Sequence, residues 1–161
     1  MSVLAVTYPH SRIFADLLVA TSIRTSCRIL GYDCDISTRH VLAHAWNPGR
    51  LADCADRLAA GETAPPIQAT RYRLGSSAWY VLSDGNHRSV AAQQASRQTI
   101  RAHVDAEYIC DPHLFYIDRS GRLWRRTSSE GGASIYSLAG DGWQGEHLKV
   151  AQAHGVRLVD I

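Results

Sequence analysis

The sequence predicts an α+β fold, a small mixed sheet with helices packed on it. Three observations predict it. Residues 67–74 and 79–83 are short strand-like runs separated by Gly75-Ser76-Ser77, a hairpin signal. Residues 50–60 place Leu51, Cys54, Ala55 and Leu58 on one face of a helix. Residues 83–95 pass from a strand through a glycine into an alanine-rich helical run. With 161 residues, 45% of them apolar and 20% charged, the chain has the composition of an ordinary globular protein. That length buries a core without disulfides, so a single domain over 1–161 is expected.

The elements follow in order. Residues 3–7 read as a short strand ended by Pro9. Residues 12–30 carry Ile13, Leu17, Leu18, Ile23, Cys27 and Leu30 at near-helical spacing, which predicts one or two helices closed by Gly31. Residues 33–38 read as a linker or short edge strand. Residues 39–46 read as a helical turn, broken by Asn47-Pro48-Gly49. The helix over 50–60 stops at Gly61. The hairpin and the glycine-turn helix come next, and 100–105 alternates apolar and polar as a strand. Residues 114–118 and 122–126 flank a turn at Arg119-Ser120-Gly121. Residues 128–133 are small and polar and read as a loop. Residues 146–154 read as a last helix and 156–160 as a last strand.

The chemistry concentrates in Asp84-Gly85-Asn86-His87-Arg88. A helix start offers backbone N–H groups without intrahelical partners and the positive end of the helix dipole. Gly85 permits a sharp turn and close backbone approach to a ligand. His87 and Arg88 add donors, and a guanidinium grips phosphate with two bonds. The pattern predicts a phosphate cradle at a strand–helix junction. In phosphoryl or phosphodiester hydrolysis Arg88 would neutralise developing charge, His87 would donate to a phosphate oxygen or act as general acid, and Asp84 would hold Mg²⁺ or orient water. The plain alternative for Asp84 is a turn or cap residue, and for His87 a hydrogen bond within the loop. Glu62, in the loop before Pro66-Ile67, is a further catalytic candidate or else an exposed carboxylate. Gln68, Thr70 and Arg71 are candidate phosphate neighbours.

Residues 51–104 resemble the ParB/sulfiredoxin superfamily, its ParB-like nuclease group in particular. The likeness rests on a helix ending at Gly61, Pro66-Ile67 opening a strand, a hairpin into Tyr80-Val81-Leu82-Ser83, the Asp84–Arg88 motif, an alanine-rich helix and the strand over 100–104. The resemblance implies a core at about 50–105 with N- and C-terminal elaborations. It also implies binding of nucleotide (ATP or another) or nucleic-acid phosphate at Gly85, Asn86, His87 and Arg88. ATPase or DNase activity follows from the same likeness. Sulfiredoxins carry a nucleophilic cysteine where this chain has Asn86, so sulfinic-acid reduction is not implied. Free-serine kinases of the superfamily share the D-G-x-H-R pattern. The size and elaborations are similar to plasmid fertility-inhibition factors of the superfamily, such as the oncogenic suppression activity protein, which block conjugative DNA transfer through a type IV secretion channel. That likeness implies a coupling or channel ATPase as partner.

The net charge is +2, which is not the charge of a strong nucleic-acid binder. Of 17 basic residues only Lys149 is a lysine. Arg119, Arg122, Arg125 and Arg126 surround a hairpin with Trp124, a candidate DNA-backbone patch with a stacking ring. A solvated hairpin around one buried tryptophan is the plainer reading. His40 and His44 have the spacing of two helix-borne ligands. Their distance from Cys27 and Cys34 fits no common zinc finger, whose cysteines stand about two to four residues apart, so helix-surface histidines and buried thiols are expected. The first residues lack a basic start and a long apolar run, and no segment suits a membrane span. A cytoplasmic protein with reduced cysteines is therefore expected.

Overall fold

Strand β1 (Cys27–Ser37) pairs antiparallel with β5 (Thr99–Cys110), which runs parallel to β3 (Ile67–Leu74). β3 forms an antiparallel hairpin with β4 (Ser77–Asp84), and β4 runs parallel to the two-residue β2 (Val41–Leu42). The five-stranded sheet thus has the order β1-β5-β3-β4-β2. A second sheet, β8-β7-β6-β9, is built from β6 (Phe115–Ile117), β7 (Leu123–Glu130), β8 (Ala133–Gly140) and β9 (Arg157–Leu158). Among the described residues there are four α-helices: α1 (Ser11–Ser22), α2 (Pro48–Ala59), α3 (Asn86–Gln94) and α4 (Gly145–Ala153). This is a computed structural model, and it describes residues 11–22, 27–74, 76–130 and 133–159. The strand expected over 3–7 lies outside the described residues.

Alternation along the strands divides the first sheet between two cores. Ile67 and Ala69 of β3 and Ala102 and Val104 of β5 face α2 and α3, where they meet Leu51, Val90 and Ala91. On the opposite face Tyr72 and Cys110 meet Phe14, Leu17 and Leu18 of α1, Ala151 of α4 and Phe115, Ile117 and Leu123 of the second sheet. Small residues on the buried face of α3, Ala91 and Ala92, let that helix lie close. No helix among the described residues is long and apolar enough to cross a membrane.

Several elements differ from expectation. The helix over 12–30 ends at Ser22, and Cys27 already begins β1. Tertiary pairing with β5 overrides the apparent helical spacing of Cys27 and Leu30. The edge strand expected near 33–38 is the second half of β1, which is an edge of its sheet. The turn over 39–46 is a 3₁₀ turn (Thr38–His40) followed by β2, so His40 and His44 do not share a helix. Cys27 is exposed rather than buried, Cys34 and Cys54 are half-buried, and Cys110 is buried. The loop expected at 128–133 is instead the end of the β7–β8 hairpin, paired as far as Glu130 and Ala133.

Candidate functional site

β4 delivers Asp84 to the edge of a cleft and Gly85 turns the chain into α3. Gly85 sits at φ 92°, ψ 15°, and a Cβ there would meet Ile67 Cβ at 2.7 Å, closer than real contacts allow. The first intrahelical bond of α3 runs from Ser89 N to Gly85 O at 2.9 Å, so the amides of Asn86, His87 and Arg88 precede the ladder.

The side chains of the motif are partly committed. Arg88 Nη2 donates to Asp84 Oδ2 at 2.8 Å, and its Nη1 donates to Pro65 O, which ties the turn to the loop before β3. Asn86 Oδ1 accepts from His44 N at 3.3 Å. His87 Nε2 accepts from Asn47 N at 3.2 Å, and the residue is buried, 8% exposed. An imidazole that accepts at Nε2 carries its proton on Nδ1. Burial, reinforced by the nearby Arg50 charge, holds the His87 pKa below its ordinary value, in keeping with that neutral form. Asn47 also caps α2, its Oδ1 accepting from Arg50 N at 3.1 Å. The segment before α2 and the start of α3 therefore hold each other in place.

These elements enclose a cavity of about 720 Å³. Arg50 and Arg57 reach it from α2, Arg88 from α3, Arg97 from the turn after α3, and Arg101 from β5. Five arginines face two carboxylates, Glu62 and Asp84. Three are paired: Arg57 with Glu62 at 2.6 Å, Arg88 with Asp84, and Arg101 with Asp35 at 3.9 Å. Arg50 and Arg97 have no ion pair among the described residues. A cleft with surplus guanidinium charge beside a helix N-terminus favours an anionic guest.

All six residues expected at the site, Glu62, Asp84, Gly85, Asn86, His87 and Arg88, line this one cavity. Arg119, Arg122, Arg125 and Arg126 do not line it. The turn bearing Arg119 and Arg122 is organised by Asp118, whose Oδ1 accepts from Ser120 N and Arg122 N and whose Oδ2 accepts from Trp124 Nε1. Arg125 and Arg126 are successive on β7 and point to opposite faces. Of the candidate phosphate neighbours, Thr70 donates to Asp105 and Arg71 lies 3.4 Å from Glu107, and neither they nor Gln68 line the cavity. Sequence reasoning missed Arg50, Arg97, Arg101 and Trp46, which come from separate elements and have no local motif. Among the described residues no group of three or more His, Cys, Asp or Glu side chains is placed to hold a metal. No protein-family model matches the chain, and no curated protein matches it.

Proposed function

We propose that this cleft binds the phosphate of a nucleotide or of DNA. The observation that supports the reading is the cavity itself, where the N–H end of α3 meets an excess of arginine. Arg50 and Arg97, without an ion pair among the described residues, are the first two charges available to phosphate oxygens, with Asn86, His87 and Arg88 amides as further donors. In this reading an ATPase or nuclease uses Mg²⁺ held by Asp84 and by the ligand's own phosphates. One carboxylate plus substrate phosphates is an ordinary donor set for that ion. Asp84 fits the role because its side chain is 70% exposed and only Oδ2 is engaged by Arg88. Arg88 then neutralises charge as it develops on the phosphate.

A second reading is a binding module without turnover, docking on a partner such as a secretion-channel ATPase in fertility inhibition. The observation in its favour is that both cleft carboxylates are paired with arginines and His87 Nε2 accepts from Asn47. One titration with ATP and with plasmid DNA, followed by phosphate release and DNA cleavage with and without EDTA, decides between them. Binding should weaken about five- to tenfold in Arg50→Ala and in Arg97→Ala, and should fall as salt rises. Binding unchanged in both variants overturns the cleft assignment. Turnover that EDTA and Asp84→Asn both abolish supports the hydrolase, and binding without turnover supports the module. Phosphorylation of free serine in the same assay would point to the kinase-like alternative.

A further inference from the structure

Trp46 is the exposed tryptophan of a chain that otherwise shelters its indoles. Trp143 is buried and Trp79 packs on the core, while Trp124 is half-buried with its Nε1 donating to Asp118. Trp46 is 60% exposed, yet it is not a loose surface ring. Its indole stands edge-on to His87 with centroids 4.4 Å apart, and tilted against His44 at 5.1 Å. Those contacts hold the indole in place while most of its surface stays open to solvent.

Its position carries the inference. Trp46 and Asn86 line the arginine-rich cavity and also a second one of about 550 Å³. The second cavity is mainly apolar, with Val19, Leu42, Val81 and Leu82 in its wall and Asp16 and His44 as polar groups. Trp46 is therefore common to both cavities, one rich in arginine and the other mainly apolar. Both volumes fall in the range of small-molecule pockets, about 300–1,000 Å³. A molecule that is anionic at one end and a flat aromatic ring at the other matches that pair of environments. Duplex DNA does not, because its base faces are stacked inside the helix.

Resting on the phosphate-binding reading above, we propose that Trp46 is the base-stacking wall of a mononucleotide site, with the phosphates between Arg50, Arg97 and the start of α3. The test compares ATP with inorganic tripolyphosphate by calorimetry on the full chain, in wild type, Trp46→Ala and Trp46→Phe. Wild type should bind ATP about ten- to a hundredfold more tightly than tripolyphosphate, the scale of one stacked base. Trp46→Ala should lose that advantage and keep its tripolyphosphate affinity, and Trp46→Phe should keep most of both. Equal wild-type affinity for the two ligands overturns the stacking wall and leaves the phosphate cleft standing. So does an ATP advantage that survives Trp46→Ala. If wild type binds neither ligand, the mononucleotide site falls and the stacking wall with it. The wild-type comparison needs no variant, so a poorly folded Trp46→Ala does not rescue the idea.

Discussion

Gly85 is the residue on which the cleft's geometry turns. Its left-handed backbone and the absence of space beside Ile67 are separate constraints on one position. Gly85→Ala adds left-handed strain of about 1–2 kcal/mol to an overpacking cost of about 1–3 kcal/mol. Urea unfolding should show a loss of about 3 kcal/mol, and a loss below about 1 kcal/mol would mean that Ile67 moves freely. His87 makes a different statement at the same scale. Its native pKa is depressed by burial and by Arg50, so the unfolded chain binds the proton more readily. The neutral ring's contribution is fully present above the ordinary histidine pKa, about 6.5. It is lost as pH falls through the lower native value. His154, depressed by burial alone, acts in the same direction. Stability should therefore decline from about pH 6.5 downward, and less steeply in His87→Gln. An identical slope in that variant would remove His87 from the account.

At the scale of elements, α2 was legible from its helical period and its stop at Gly61, β3 and β4 from strand-like runs around a hairpin turn, and α3 from an alanine-rich run that opens after Gly85. Two elements were not. β1 shows helix-like spacing, and its true partner, β5, lies far along the chain. The end of the β7–β8 hairpin is too small and polar to show alternation. The same logic applies to the site. Its five-residue motif was readable as a contiguous string. Arg50, Arg97, Arg101 and Trp46 converge only after the sheet and helices assemble. Asn47 links the two levels, since its side chain caps α2 while its amide holds His87. Asn47→Ala should cost about 1 kcal/mol in a denaturant melt, the worth of a side-chain cap. The turn before β7 has its own titrating clamp. Hydrogen bonds from Ser120 and Trp124 lower Asp118 to about 2. Its contribution is present above the ordinary aspartate pKa, about 3.9, and disappears as pH falls through the lowered value. The indole N–H resonance of Trp124 should titrate with a midpoint near 2, and a midpoint near 4 would show that the clamp is not formed.

For the molecule as a whole, the decisive feature is that one sheet serves two cores. The Asp84–Arg88 motif sits on the α2–α3 face, while the opposite face is closed by α1, α4 and the second sheet. Residues outside 50–105 therefore do more than decorate the site. They supply β1 and β2 to its sheet and cover Tyr72, Trp79 and Cys110 behind it. Phe115, fully buried in that second core, tests the dependence. Phe115→Ala should cost about 3–5 kcal/mol, a large part of a stability of about 5–15 kcal/mol, although it lies on a different sheet from the cleft. Ending the chain after Asp111 is the stronger test, because it strips the second sheet and α4 together. The shortened chain should lose its cooperative thermal transition and bind a hydrophobic dye, since the Tyr72 face is then open to water. A shortened chain that still melts cooperatively would show that the first sheet with α1, α2 and α3 is self-sufficient. Residues 112–161 would then be an appended unit rather than the back wall of the site.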